Sequence, residues 1–255
     1  MFNIEDFDIK LETNTIGRNF IYTEEISSTN EFLLKNSENF DNGTIVLSEF
    51  QEEGRGRFKR PWLSNKGENL TFSILLKENL SAFNPNHVNL MSSLTISLAI
   101  ENLYQLKPSL KWPNDVLINN KKVCGILMEA NSKGSELKSI VIGIGLNANQ
   151  TKFSGEYRVT PTSIQHEVKR VISRERFLSE FLNIFEEQLW ELSKNPKKML
   201  DDWRERCRLI GEKIAIEDDG EKKYGIFYDI DANGMMILKI GDKLEKIING
   251  DISIR

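Results

Sequence analysis

Three arginines and two glycines share one short segment, QEEGRGRFKRPW. Guanidinium groups are planar and permanently charged, and their paired N–H donors fit carboxylates and phosphates. Glycines leave the backbone free to approach a ligand closely. The segment therefore indicates an anion-binding loop, with a solvated loop of ordinary surface arginines as the alternative. The residues concerned are Gly54, Arg55, Gly56, Arg57 and Arg60.

A second candidate site is the segment KWPNDVLINNKKVCGIL, which starts at Lys111. Pro113 should end a strand, so Asn114 and Asp115 are expected in a turn. Close to Lys111 and Lys122, this pair could hold a polyphosphate with its Mg²⁺. The carboxylate is a hard oxygen ligand, and the ammonium groups neutralise phosphate charge. An ordinary Asn-Asp turn is the alternative.

A third segment, IGIGLNAN, has a Gly-x-Gly pattern at Gly143 and Gly145. Such a strand end lets a flat ring lie against the backbone, and Asn147 could then hydrogen-bond an adenine edge. A single pattern of this kind is a weak signal, and close packing of the strand end explains it equally well.

The fourth segment, EISSTNEFLL, has the features of a helix start. Ser28 and Glu31 have the spacing of a capping box. Thr29 and Asn30 follow the cap and are candidates for the wall of a pocket. Capping is a structural role, and it leaves the two following side chains available to a ligand.

Together these segments favour nucleotidyl transfer over hydrolysis or redox chemistry. The chain has only two histidines, His87 and His166, so histidine-based catalysis has little to work with. Its two cysteines, Cys124 and Cys207, are far apart and lack the spacing of a metal site. We expect both to be reduced packing residues.

The elements that must position these residues point to an α+β fold. Turn-bounded apolar runs predict strands at 44–50, 70–76, 123–130 and 137–149, with a hairpin at 118–123. Helical periodicity predicts helices at 87–105 and 173–194. Strands that come in hairpins, with helices between them, indicate a mixed or antiparallel sheet.

From Gly211 onward the sequence consists of short alternating strands separated by DDG, DANG and GDK turns. This pattern is typical of a small β-barrel. We therefore expect two domains, at 1–208 and 209–255.

The bulk properties exclude several function classes. The 255 residues carry a formal charge of −4, so no general basic surface is expected to bind nucleic acid. The N-terminal MFNIEDFDIK is acidic where a signal peptide would be basic, and no run reaches about 18 apolar residues. We expect a cytoplasmic protein without a membrane partner.

Taken in chain order, with SSTNEFLL first, then GRGRFKRPW, KWPNDVLINNKKVCGIL and IGIGLNAN, the four segments resemble the biotin–protein ligase family, also called biotin–[acetyl-CoA-carboxylase] ligases. The resemblance covers roughly residues 27–149, and the tail resembles the family's SH3-like barrel. It implies a class II synthetase-like catalytic domain that uses ATP and Mg²⁺. Biotin would be activated as biotinyl-5′-AMP and then transferred to a lysine of a biotin carboxyl carrier domain.

The resemblance also implies the reacting groups. Lys122 matches the lysine at the biotin carboxylate and α-phosphate, and with Arg55 and Arg57 it forms the predicted catalytic set. Asn114 and Asp115 match the turn that binds ATP and Mg²⁺, with Asp115 as the metal ligand.

The implied binding residues begin with Ser28, Thr29 and Asn30, which match the family's STN element at the biotin pocket. Gln51 matches its ring-binding glutamine, and Arg255 an arginine near the ATP phosphates. The other implied contacts to biotin or ATP are Gly54, Gly56, Arg60, Trp62, Lys111, Gly125, Gly143, Gly145 and Asn147.

Two rival functions remain at this point. A lipoate–protein ligase would adenylate a different acid on a related fold, and a non-catalytic biotin-binding regulator would keep the pocket without the phosphate chemistry. Only about 26 residues precede the pocket motif, so we expect no DNA-binding repressor domain. The sequence leaves monomer and homodimer open.

Overall fold

A computed structural model describes residues 1–134, 136–218, 221–248 and 250–254 of the chain. The described residues form two sheets. A mixed sheet with seven strands and its helices make up the larger part, and an antiparallel sheet with five strands follows. The α+β class and the mixed sheet expected from the sequence are confirmed. Arg255 lies outside the described residues.

The larger sheet has the strand order β1-β2-β3-β7-β6-β5-β4. Only the β1–β2 pair is parallel, and the other neighbours are antiparallel. The strands are β1 Phe20–Thr23, β2 Ile45–Ser48, β3 Leu70–Leu76, β4 Ser109–Lys111, β5 Asp115–Ile118, β6 Lys121–Lys133 and β7 Glu136–Leu146.

Helices cover both faces of this sheet, which explains why β3 is buried along its whole length. On one face, Leu33 of the helix Thr29–Lys35 packs against Val46, Leu75 and Val141 of the sheet. The main hydrophobic core lies on the other face. The helices are α1 Ile4–Asp8, α2 Thr29–Lys35, α3 Pro85–Tyr104, α4 Ile164–Val168, α5 Arg174–Lys194 and α6 Pro196–Arg206.

The two long helices start where their caps dictate. Asn84 accepts a hydrogen bond from the backbone N–H of Asn86, and Pro85 fills the first position of α3, which needs no N–H donor. Ser173 caps α5 in the same way through Arg176. The sequence-based start of α3 at 87 was two residues late because its apolar periodicity begins after the cap.

The smaller sheet has the order β11-β10-β9-β8-β12, with all neighbours antiparallel. Its strands are β8 Lys213–Asp218, β9 Glu221–Ile230, β10 Met236–Ile240, β11 Lys243–Ile247 and β12 Asp251–Ile254. It contacts the larger part through the β9–β10 turn, where the carbonyl of Gly234 accepts a hydrogen bond of 3.0 Å from Trp112 Nε1.

Several local predictions are confirmed. β3 has the predicted bounds, and Asn119 and Asn120 form the predicted hairpin with positive φ angles of 51° and 61°. Cys124 and Cys207 are free and buried. Among the described helices, none combines the length and apolar character that a bilayer crossing requires.

Candidate active site

A cavity of about 510 Å³ opens over β3, β7, β6 and β5, and it brings the four sequence segments together. The sequence-predicted residues that line it are Ser28, Thr29, Asn30, Gln51, Arg55, Gly56, Arg57, Arg60, Trp62, Lys111, Asn114, Asp115, Lys122, Gly125, Gly143, Gly145 and Asn147. Residues far apart in the chain therefore converge on one space large enough for a small-molecule ligand.

Gly54 is the described candidate that does not line the cavity. It is buried, and its carbonyl accepts a hydrogen bond of 2.8 Å from the backbone N–H of Trp62. A Cβ atom at this position would lie 3.0 Å from the Trp62 carbonyl oxygen. Gly54 therefore allows the basic loop, residues 51–62, to close on itself, which is an indirect contribution to the site.

Sequence reasoning missed two parts of the cavity wall. Residues 153–161 contribute Phe153, Glu156, Tyr157, Arg158, Val159 and Pro161, and β12 contributes Asp251 and Ile252. The first segment attaches to β6 through Lys122, whose N–H donates to the Thr160 carbonyl at 2.8 Å. This irregular segment has no hydrophobic period, so only its density of aromatic and charged residues could have indicated a role.

The inner end of the cavity is a polar pocket at the start of α2. Ser28 caps the helix, accepting a hydrogen bond of 3.4 Å from the Glu31 N–H, as predicted. Gln51 Oε1 accepts from the backbone N–H and the hydroxyl of Thr29 at 2.8 and 2.9 Å. These bonds fix the carboxamide of Gln51, so that its Nε2 donor remains for a ligand.

The adjacent strands β6 and β7 form a floor of glycines. Gly125 and Gly145 are register partners, and the indole of Trp62 lies over them. A Cβ on Gly145 would lie 2.3 Å from Trp62 Cε2, and one on Gly143 only 2.2 Å from Asn30 Oδ1. The flat ring that the Gly-x-Gly pattern predicted is therefore, in this structure, a side chain of the protein. Trp62 Nε1 is buried without a hydrogen-bond partner among the described residues.

Two lysines and one carboxylate form a compact charged group beside this floor. Lys122 Nζ lies 2.6 Å from Asp115 Oδ1, and Lys111 Nζ lies 3.9 Å from Asp115 Oδ2. Lys111 and Asp115 are buried. Burial lowers the pKa of Lys111 because desolvation disfavours its charge, and Asp115 opposes that shift. The group carries a net positive charge and faces the cavity.

Asp115 begins β5 and does not lie in the turn where the sequence predicted it, because it pairs with Gly125 of β6. Asn114 stays in the turn, and its Nδ2 donates to the Ile126 carbonyl at 2.5 Å. Asn147 is also engaged with the backbone, since its Nδ2 donates to the Thr162 carbonyl at 3.0 Å. Asn147 Nδ2 also donates to the Lys122 carbonyl at 3.5 Å, so Asn147 keeps only its oxygen for a ligand, whereas Asn114 keeps its oxygen and one N–H.

The donor set around Asp115 bears on the predicted Mg²⁺ site. The described residues contain no cluster of three His, Cys, Asp or Glu side chains that could hold a metal ion. Magnesium is commonly bound by one or two carboxylates, with water and substrate phosphates completing its shell. A single carboxylate in a cationic cavity fits that mode and does not fit an all-protein metal site.

The basic loop is held against the smaller sheet. Arg60 and Arg158 both form ion pairs with Asp251 Oδ2, the latter at 3.1 Å. Arg57 Nη1 donates to the Gly250 carbonyl at 3.1 Å. Burial lowers the pKa of Arg57, although the charges of Asp251 and Asp115 oppose this. The smaller sheet therefore contributes directly to the cavity wall.

The charge balance of the cavity wall favours anions. Of the described residues, six with cationic side chains line the cavity, against three carboxylates. The cations are Arg55, Arg57, Arg60, Lys111, Lys122 and Arg158, and the carboxylates are Asp115, Glu156 and Asp251. With its polar pocket and these cations, the site is suited to hold a small polar ring together with several negative charges.

Comparison with known proteins agrees with this architecture. Residues 22–147 match the model of the biotin/lipoate A/B protein ligase family, the class that the fold and cavity define. Residues 209–255 match the biotin protein ligase C terminal domain. The chain belongs to the biotin protein ligase family.

Individual relatives are similar over most of the chain. The bifunctional ligase/repressor BirA of Bacillus subtilis is 30% identical over 251 residues, which cover 96% of this chain and 76% of BirA. The biotin–[acetyl-CoA-carboxylase] ligase of Paracoccus denitrificans is 28% identical, over 83% of this chain and 90% of its own. The Aquifex aeolicus biotin protein ligase in complex with biotin and ATP superposes with a TM-score of 0.82 at 30% identity, covering 93% and 99% of the two chains.

Proposed function

We propose that this protein joins biotin to a lysine of a biotin carboxyl carrier domain in two steps, through biotinyl-5′-AMP. The observation that carries the proposal is the position of Lys122, whose ammonium lies between the Asp115 carboxylate and the indole of Trp62 at the cavity floor. The polar pocket and the basic loop both line this cavity.

In the first step a biotin carboxylate oxygen attacks the α-phosphorus of ATP, and pyrophosphate leaves. Both reactants are anions, so their approach requires compensating charge that is fixed beforehand. Lys122 and Lys111 supply that charge from the floor, and Arg57 supplies it from the loop. Because Lys111 is buried, its charge is less screened by water than that of a surface lysine.

Biotin recognition is assigned to the polar pocket at the start of α2. A ring with one carbonyl and two N–H groups needs donors and acceptors on one wall. Gln51 keeps its Nε2 donor, while Asn30 keeps an acceptor on Oδ1. Gly143 lets Asn30 lie close to β7, where any larger residue would displace it.

Magnesium would be held with the ATP phosphates by Asp115, through the oxygen that lies farther from a lysine, Oδ2. Bound there, the ion would supply charge neutralisation to the phosphates. Asp115 also contacts the Lys122 ammonium at 2.6 Å, so its carboxylate orients the lysine.

In the second step the neutral ε-amine of the carrier lysine attacks the acyl carbon of biotinyl-5′-AMP. The mixed anhydride bond breaks, AMP leaves, and the amine loses a proton. Closure of the basic loop between the steps would protect the anhydride from water. The two-domain division at 1–208 and 209–255 fits this assignment, since Asp251 of the second part contacts Arg60 of the loop.

The proposal is tested by incubating the protein with ATP, Mg²⁺, biotin and a purified carrier domain, and by measuring the intact mass of the carrier. We expect one biotinyl group per carrier, and none on a carrier whose acceptor lysine is replaced by arginine. Modification with lipoate but not biotin would instead identify a lipoate–protein ligase. Biotin binding without any modification would identify a regulator.

A further inference from the structure

Glu129 lies on β6 outside the cavity wall, yet it contacts two side chains of the site at once. Its Oε2 accepts a hydrogen bond of 2.8 Å from Asn30 Nδ2 in the polar pocket. Its Oε1 accepts one of 3.4 Å from Arg55 Nη2 in the basic loop. One carboxylate, with one oxygen for each partner, therefore joins the pocket to the loop.

Glu129 determines how Asn30 is presented to a ligand. A carboxamide has two N–H donors, and in Asn30 both are used, one on Glu129 and one on the Leu127 carbonyl at 3.1 Å. The Oδ1 of Asn30 accepts from the Ser73 hydroxyl at 2.6 Å and has one acceptor site left. Asn30 can thus offer a ligand only an acceptor, in a fixed orientation.

The contact to Arg55 connects the basic loop to the pocket a second time. Thr29 Oγ1 donates to Gln51 Oε1 at 2.9 Å, and the Ser73 hydroxyl donates to Asn30 Oδ1 at 2.6 Å. Each hydroxyl has one proton, so the approach of Thr29 Oγ1 to Ser73 Oγ is a contact and not a third hydrogen bond. The basic loop is therefore bonded to the pocket at two residues, Gln51 through Thr29 and Arg55 through Glu129.

We propose that Glu129 is a positioning residue that couples occupancy of the polar pocket to the position of Arg55, and so to retention of the activated intermediate. This inference rests on the proposed function. A ligand ring that binds Asn30 strengthens the hydrogen bond between Asn30 and the Glu129 carboxylate. The second contact of that carboxylate, to Arg55, then holds the loop. Side-chain networks of this kind stabilise more when every member is satisfied.

Replacement by glutamine separates the two contacts. A glutamine has a single acceptor oxygen, which should stay with the buried Asn30, because an unsatisfied buried donor costs more than an exposed one. Arg55, half exposed, would then face an N–H₂ group and lose its partner. Leucine, by contrast, removes both contacts. If Glu129 couples the pocket to the loop, the two variants should differ in biotin affinity and in release of the intermediate. If Glu129 has only a structural role, the two variants should behave alike.

The experiment measures biotin affinity by calorimetry and the rate at which preformed biotinyl-5′-AMP leaves the protein. For Glu129→Gln we expect affinity within about twofold of wild type and release faster by up to about fivefold, the range of an exposed ion pair. For Glu129→Leu we expect affinity at least about tenfold weaker, as for a lost charged hydrogen bond. Arg55→Gln should match Glu129→Gln in release, and the double variant should add nothing further.

Glu136→Gln is the matched control, since Glu136 lies at the far end of the β6–β7 hairpin and pairs with Lys138. Release from Glu129→Gln at the wild-type rate, or additive effects of Glu129→Gln and Arg55→Gln, would overturn the inference while wild type still activates biotin. A wild-type protein that binds biotin without forming the adenylate would instead overturn the proposed function, and the coupling to intermediate retention with it.

Discussion

Lys122 Nζ lies 2.6 Å from Asp115 Oδ1, although the two residues come from different strands of the sheet. The β5–β6 hairpin creates this pair. Its two-residue turn pairs Leu117 with Lys122, and a register shift between Val116 and Leu117 then pairs Asp115 with Gly125. Lys111 completes the group from β4. The local fold thereby concentrates positive charge where two anions have to meet.

Lys122→Ala should slow adenylate formation strongly without unfolding the protein. Loss of one preorganised charge at a reacting centre typically slows a reaction about 10²- to 10³-fold. The measurement is single-turnover formation of biotinyl-5′-AMP. Lys121→Ala, a change on the neighbouring residue outside the cavity wall, is the control. Adenylate formation by Lys122→Ala within about threefold of wild type would remove Lys122 from the mechanism.

Gly143→Ala should weaken biotin binding by about tenfold or more, since the added Cβ would lie 2.2 Å from Asn30 Oδ1 and displace that side chain. Calorimetry with biotin measures the effect. Ser139→Ala is a control on the same strand, because the buried Ser139 hydroxyl has no hydrogen-bond partner among the described residues. Equal affinity in Gly143→Ala and wild type would show that the Asn30 position does not matter for binding.

Arg57→Ala should release the activated intermediate more readily. Arg57 donates a hydrogen bond to the Gly250 carbonyl at 3.1 Å and so connects the basic loop to the smaller sheet.

We expect the loop to be mobile without ligand and protected from hydrogen exchange once biotin and ATP are bound. Hydrogen exchange over residues 54–60 with and without biotin measures the closure. Equal protection in both states, or unchanged release from the variant, would contradict a gating role.

Asp251 should connect stability to pH in the acid range. Burial raises the pKa of Asp251, but the hydrogen bond and charge of Arg60, with Lys111 and Arg57, outweigh it and hold the pKa below its usual value. A carboxylate with a lowered folded-state pKa stabilises the fold above its unfolded pKa of about 3.9 and loses this contribution as pH falls through the folded value.

The stability difference between wild type and Asp251→Asn should therefore stay constant from about pH 8 to pH 5 and vanish only below about pH 4. Thermal unfolding across this range measures it. Asp242→Asn, a change in a turn of the same sheet, is the control. A difference that already disappears near pH 6 would show that another group controls the contact.

The sequence was most informative where chemistry and local structure coincide. The residue types and spacings of three segments are distinctive: the basic loop, the β5–β6 hairpin with Lys122, and the Gly-x-Gly pattern at Gly143 and Gly145. All of their described candidates except Gly54 line one cavity. Their mutual distances could not be derived, because these depend on the order of strands in the sheet. The position of Trp62 over Gly125 and Gly145 is an example.

The residues that were missed have no local pattern. Arg158 lies in an irregular segment, and Asp251 begins a short strand more than 90 residues further along the chain, yet their side chains meet at 3.1 Å. Glu129 looks like an ordinary strand residue until its two partners are seen. Such contacts result from how separate parts of the chain pack, which periodicity does not encode.

Activation of biotin as an adenylate is measured by exchange of labelled pyrophosphate into ATP, with biotin and lipoate compared side by side. It detects reversible adenylation before any carrier domain is involved. We predict exchange that requires biotin and Mg²⁺ and is strongly slowed in Lys122→Ala. Exchange with lipoate and none with biotin, or no exchange with either acid, would contradict the account.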